Sequence, residues 1–124
     1  MGFSFCEAPS LVDDSAPLIY MWEIRDHQGN VIYRDVGRSM NGAKRPREDY
    51  QRNVKNLKNG LPYRPSDPEG FRGVHHELYL AEQEGFVIRL YLLQNVAVGE
   101  DINEAKRQAC ARYLSTPFAP VDLS

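Results

Sequence analysis

Leu18-Ile19-Tyr20-Met21-Trp22-Glu23-Ile24-Arg25, then Asp26-His27-Gln28-Gly29-Asn30, then Val31-Ile32-Tyr33-Arg34-Asp35-Val36-Gly37: two runs rich in β-branched and aromatic residues flank a short polar segment. Such runs suit strands, and the Asp, Gly and Asn between them supply turn chemistry, so the pair is expected to form an antiparallel hairpin. A four-residue loop at positions 26–29 would set Tyr20 opposite Asp35 and Trp22 opposite Tyr33. All four side chains then share one face of the ribbon, because strand residues alternate with period two. A one-residue slip would scatter them.

Beyond the hairpin, Gly37 is expected to end the second strand, and a polar loop follows. Pro46 suits the first position of a helix that closes at Gly60. Tyr50, Val54, Leu57 and Leu61 recur at helical spacing on its inward stripe, and Arg47 falls on the same stripe. A core-facing arginine is costly without an anionic partner. Arg45 precedes a proline, which biases it to extended backbone outside the helix. The Pro-rich stretch at positions 61–70 reads as a loop. A second helix is expected over 69–84, with Phe71, Val74, Leu78 and Ala81 inward and Gly85 as its stop. Residues 86–93, FVIRLYLL, form an apolar strand expected to be buried on both faces. Asp101 opens a last helix that runs through Leu114. The expected fold is α/β (α+β), a small three-stranded, mainly antiparallel sheet flanked by helices in the order β-β-α-α-β-α. Residues 17–117 make one domain, 1–16 an N-terminal tail ordered at Phe3 and Phe5, and 118–124 a C-terminal tail.

A chain of 124 residues can bury a core without crosslinks, and 42% hydrophobic residues argue against general disorder. No apolar run approaches the ~20 residues of a membrane span, and the N-terminus lacks the basic and apolar regions of a secretory signal. Cys6 and Cys110 lie too far apart in sequence for a compact zinc motif and too few for a disulfide framework. Free thiols and a cytoplasmic location are the expectation. The formal charge of −2 hides an asymmetry: from Arg38 to Arg64 there are eight lysines and arginines against Glu48 and Asp49, a local +6, so the remainder carries −8. Such a block suits either a surface that meets a polyanion or a solvated helix face. His75-His76-Glu77 matches no zinc spacing, and adjacent helical side chains diverge by about 100°, so a packing or surface role is expected.

Leu18-Ile19-Tyr20 on the first strand, Val36-Gly37-Arg38-Ser39 at the end of the second, and the element order together resemble the GIY-YIG nuclease family over positions 18–117. The resemblance departs where Leu18 replaces the first glycine and Asp35 occupies the position of the second motif's tyrosine. It implies a metal-dependent endonuclease acting on DNA, with Mg²⁺ or Mn²⁺ as cofactor. By position, Tyr20 would contact the attacking water, and Arg47, with Arg45 as the alternative, would clamp the phosphate. Arg38 would lie near the scissile phosphate, and Glu104 on the last helix would hold the metal. One carboxylate suffices for Mg²⁺ that keeps its waters, and an arginine near a helix N-terminus can grip a phosphate in bidentate fashion. Asp35 would replace the tyrosine as a water ligand, add a second metal ligand, or mark lost catalysis; Tyr33 would supply the hydroxyl after a small bulge.

Lys44, Arg45, Arg52, Lys55 and Lys58, with Arg38, are the candidate nucleic-acid contacts. Glu104 also stands three residues after Asp101, as in a capping box. A non-catalytic nucleic-acid-binding domain of the same fold is therefore the rival reading, and a protein-interaction adaptor explains the basic block least well. A freestanding enzyme of this size would need a homodimer or a larger partner to cut both strands with sequence specificity.

Overall fold

The structure is a computed structural model that describes residues 2–121. Met1 and residues 122–124, the end of the expected C-terminal tail, lie outside the described residues. The chain forms β1 (Cys6–Glu7), β2 (Leu18–Arg25), β3 (Val31–Ser39), a π-helical turn (Arg45–Asp49) continuing into α1 (Tyr50–Lys58), α2 (Gly73–Glu84), β4 (Val87–Asn95) and α3 (Ile102–Tyr113). The sheet has the order β1-β4-β2-β3, with β2 antiparallel to both neighbours and β1 parallel to β4. The α+β class and the hairpin are as expected, but the sheet has four strands rather than three. β1 spans two residues, too short to leave a periodic signal.

The central strand is β2. Residues 18–24 are buried on both faces, whereas β4, expected to be the fully buried strand, leaves Val87 exposed. On one face Leu18, Tyr20, Trp22 and Ile24 pack with Tyr50 and Val54 of α1 and Val74 and Leu78 of α2. On the other, Ile19, Met21 and Val36 meet Ala105, Ala109 and Tyr113 of α3. The N-terminal segment belongs to the first layer. The Phe3 and Phe5 rings stand edge-on to Trp22 at 5.3 and 5.2 Å, and Ala43 donates its N–H to the Asp14 carbonyl at 2.9 Å.

The hairpin register differs from expectation by two residues. Trp22 lies opposite Asp35, Ile24 opposite Tyr33 and Tyr20 opposite Gly37, with a bulge after Ile24 and a loop at positions 26–30. A two-residue shift keeps every side chain on its face, so Tyr20, Trp22, Tyr33 and Asp35 still share one. The register follows from Glu23, which is fully buried and sits opposite Arg34 on β3 and Arg89 on β4. Its carboxylate accepts from Arg34 at 3.0 Å, Arg25 at 2.7 Å and the Tyr91 hydroxyl at 3.2 Å. The expected register would have set Glu23 opposite Ile32, which has no group to offer a buried charge.

Gly37 lies inside β3 rather than at its end, because the strand continues to Ser39. The Tyr20 ring lies across it: a Cβ there would come within 2.3 Å of Tyr20 Cζ and 2.4 Å of its hydroxyl oxygen. Glycine inside a strand marks such a close approach. Gly37→Ala is expected to destabilise by about 1–3 kcal/mol through overpacking, read as a lower urea midpoint. The cost should shrink when Tyr20→Ala is added; additive losses in the double variant would refute this contact as the cause.

A cationic cavity at the sheet edge

Where β3 ends, the chain walls a cavity of about 380 Å³. Tyr20 comes from β2, Gly37, Arg38 and Ser39 from β3, and Met40, Asn41 and Lys44 from the following loop. Arg45 and Asp49 reach it from the π-helical turn, Arg72 from the residue before α2, and Lys106 from α3 on the other side of the sheet. Because β3 is an edge strand, a long side chain from α3 can pass round it. Five cations thus face the cavity with one carboxylate, Asp49, which already pairs with Arg52 at 3.3 Å and Lys44 at 3.7 Å.

The floor is a chain of hydroxyls. The Tyr20 and Tyr50 oxygens are 2.7 Å apart, and Arg72 Nη2 donates to Tyr50 at 2.6 Å. Burial, then the neighbouring Tyr20, pushes the Tyr50 hydroxyl far above the usual tyrosine pKa, so it stays protonated. Tyr50 accepts from Arg72 and shares a second bond with Tyr20, in which either hydroxyl can donate. The Arg45 guanidinium lies beside the Tyr20 hydroxyl, which favours its charged form. His75 packs against Tyr50 from below. Its Nδ1 accepts the Arg72 N–H at 3.1 Å, and its Nε2 lies 3.3 Å from the Asn53 amide nitrogen. Burial, then Arg72, lowers its pKa to about 4, so the ring adds no charge. The packing or surface role expected of the histidine pair is divided between its members: His75 is packed and His76 exposed.

The cavity gathers Tyr20, Arg38, Lys44 and Arg45 from the expected site, but not Arg47 or Glu104. Arg47 points to the N-terminal segment, giving Glu7 two bonds at 2.7 and 2.6 Å and Asp14 one at 2.8 Å. The helix opens with a π turn, in which Tyr50 N–H reaches the Arg45 carbonyl, and Lys44 already has helical backbone. Arg45 therefore stands in the helix, against the expectation drawn from Pro46, and turns to the cavity while Arg47 turns away. Leu61 is exposed, beyond the expected stripe. Glu104 pairs with Arg107, and its N–H is capped by Asp101 at 3.3 Å. It is Lys106, about 200° further round the helix, that reaches the cavity. Arg52 and Lys58 pair with Asp49 and Glu82, and Lys55 is exposed on the outer face of α1.

Tyr33 and Asp35 lie beside the cavity without lining it. Burial, then Asp35, raises the Tyr33 hydroxyl to about 12. Asp35 is mostly buried and its Oδ2 has no hydrogen-bond partner. Burial raises its pKa, opposed by the charges of Arg72 and Lys106. The residues missed from sequence are Arg72 and Lys106, together with the hydroxyl role of Tyr50. α2 starts at Gly73 rather than at Glu69, so Arg72 stands at the helix cap and not inside the helix, and the inward Ala105 and Ala109 fix the orientation of α3.

Mg²⁺ and Mn²⁺ are hard cations that need oxygen ligands. Asp49 is already neutralised, Glu104 lies outside, and among the described residues no three His, Cys, Asp or Glu side chains converge as a metal site. The donor set does not fit a divalent cation; it fits an anion. Comparison of the chain with protein-family models, with curated proteins and with solved structures returned no match. No helix among the described residues is long and apolar enough to cross a membrane.

Asp35 carries a pH-dependent cost. A raised folded pKa means that its favourable contribution is complete below the unfolded value and is lost as pH rises through the folded one. Asp35→Asn is expected to be more stable than the parent at pH 7 by about 1 kcal/mol, roughly 3–5 °C in Tm. The gap should close on acidification toward pH 3–4. Melting curves with a pH-independent gap would show that the ionised carboxylate is not the source.

Proposed function

We propose that this chain is a nucleic-acid-binding domain of GIY-YIG-like build that seats a backbone phosphate in the cationic cavity without a divalent metal. The observation that carries this reading is the convergence of Arg38, Lys44, Arg45, Arg72 and Lys106 with the Tyr20 hydroxyl around one hollow whose only carboxylate is already paired. Arginine guanidinium groups grip phosphate oxygens with parallel N–H bonds, and lysines neutralise as point charges. Arg45 and Arg72 hold the phosphate here; Arg72 is steadied by the Tyr50 oxygen, and Arg45 lies beside the Tyr20 hydroxyl. The Tyr20 hydroxyl, on the same wall, offers a further polar contact. Arg38, Lys44 and Lys106 offset the charge of the flanking phosphates. The longer elements follow one another in the order β-β-α-α-β-α, which supports this reading. The lining charge departs from a metal-dependent endonuclease where Lys106 enters.

Fluorescence anisotropy with single-stranded DNA tests this. About four neutralised phosphates give a slope near −3 in log K against log salt. Arg45→Ala should weaken binding roughly tenfold and flatten the slope by about 0.7, whereas Arg47→Ala should leave affinity within about twofold and instead loosen the N-terminal segment. Chelator should change nothing. Equal affinity of Arg45→Ala and the parent would remove the cavity as the site. Nicking of plasmid DNA that requires Mg²⁺ or Mn²⁺ and disappears in Tyr20→Phe would restore the endonuclease reading.

A further inference from the structure

Met40 lines the cationic cavity on one side and a second hollow of about 300 Å³ on the other. The second hollow differs in chemistry. Pro17, Val96, Val98 and Ile102 make its walls with Met40, and the only charged side chain there is Glu100. Glu100 is turned back on its own loop: its Oε1 accepts the Ala97 N–H at 2.7 Å, and its own N–H donates to the Ala97 carbonyl at 3.0 Å. Val96 N–H is tied to the Pro17 carbonyl at 3.0 Å, and Gly99 takes the left-handed backbone, φ +91°, that the turn requires. The rim is thus a braced turn, and it holds Val98 fully in solvent next to Met40, itself 58% exposed. A braced turn that displays apolar side chains beside a charged cavity is the pattern of a binding surface.

We infer that this hollow receives an unpaired nucleobase from the strand whose phosphate occupies the adjoining cavity. The inference rests on the phosphate reading above. The two hollows share a wall, so a nucleotide with its phosphate among Arg38, Arg45 and Arg72 has its sugar and base within reach of Met40. Apolar walls suit the faces of a base, as they do where enzymes hold bases outside the helical stack. A second phosphate does not suit it, because the one charge present is negative. A base inside a duplex is paired and stacked and does not reach the hollow, so the domain selects single-stranded or locally unpaired nucleic acid. Base contacts of this kind are tolerant of sequence, since every base has an apolar face.

The test compares three oligonucleotides by anisotropy: a single strand, its duplex, and the same strand carrying abasic sites that keep the sugar-phosphate chain. The single strand is expected to bind at least tenfold tighter than either of the others. Val98→Ser, an exposed change whose folding is checked by its Tm, should weaken the intact strand at least threefold and leave the abasic strand unchanged. Abasic binding equal to intact binding, or a Val98→Ser loss of equal size on both strands, overturns the base pocket. Arg45→Ala separates the two readings: if it weakens all three oligonucleotides while base removal has no effect, only the base pocket fails. If Arg45→Ala has no effect on any of them, the phosphate reading fails as well. Sedimentation provides the last arm: concentration-dependent dimers abolished by Val98→Ser would assign the hollow to a second copy and overturn the proposal.

Discussion

Glu23 is a carboxylate with no solvent exposure in the middle of the central strand, and much of the architecture follows from what such a group demands. Removing a partner from a buried ion pair typically costs about 3–5 kcal/mol, so only arrangements that supply partners are accessible. Arg34 of β3 lies opposite it, Tyr91 of β4 reaches it with a hydroxyl, and Arg25 adds a bond from β2 itself. One side chain thereby locks the register of three strands. Apolar alternation alone would have accepted any even shift. The register in turn puts Gly37 under the Tyr20 ring, and that contact lays the Tyr20 hydroxyl beside Tyr50 at the floor of the cavity.

Strand and helix content was legible because it rests on local pattern. The runs at 18–25 and 31–37, the Asp101 cap and the Gly85 stop each announce an element through chemistry within a few residues, and the structure contains all of them. What escaped the sequence depends on partners far along the chain. β1 exists because Phe3 and Phe5 have Trp22 to pack on, and because Ala8 N–H finds the Leu90 carbonyl. The shift at the hairpin exists because Glu23 is buried, and a glutamate in a strand gives no sign in advance of which face will be closed. The opening turn of the first long helix departs from the local pattern for a different reason. A π turn carries one more residue than an α turn, so it rotates the arginines that precede Tyr50 and exchanges the roles assigned to Arg45 and Arg47.

The site shows the same division. Arg38, Lys44 and Arg45 were visible as a dense basic block, and Tyr20 through its place on the hairpin. Arg72 and Lys106 were not, since each is an isolated cation in a mixed-charge stretch and reaches the cavity only through tertiary placement. Arg47 satisfied its need for anions from within the chain, by Glu7 and Asp14. Its bonds fasten the N-terminal segment to the start of the helix, so a residue that sequence reasoning gave to a ligand is spent on the fold.

A cavity lined by five cations also has to be stable when empty. Like charges in a partly enclosed space repel, and the repulsion is weaker where acceptors are placed between them. Tyr50 accepts from Arg72, Asp49 draws on Lys44, and Asp35 lies within the fields of Arg72 and Lys106. The Asp35 carboxylate compensates only in part: burial works against its ionisation and one oxygen lacks a partner, yet the neighbouring cations favour the charged form. An arriving phosphate would neutralise those same cations more directly and remove the support that keeps Asp35 ionised. Its pKa would then rise further. If the cavity holds a phosphate as proposed, its binding and Asp35 protonation favour each other, because both act through the charges of Arg72 and Lys106.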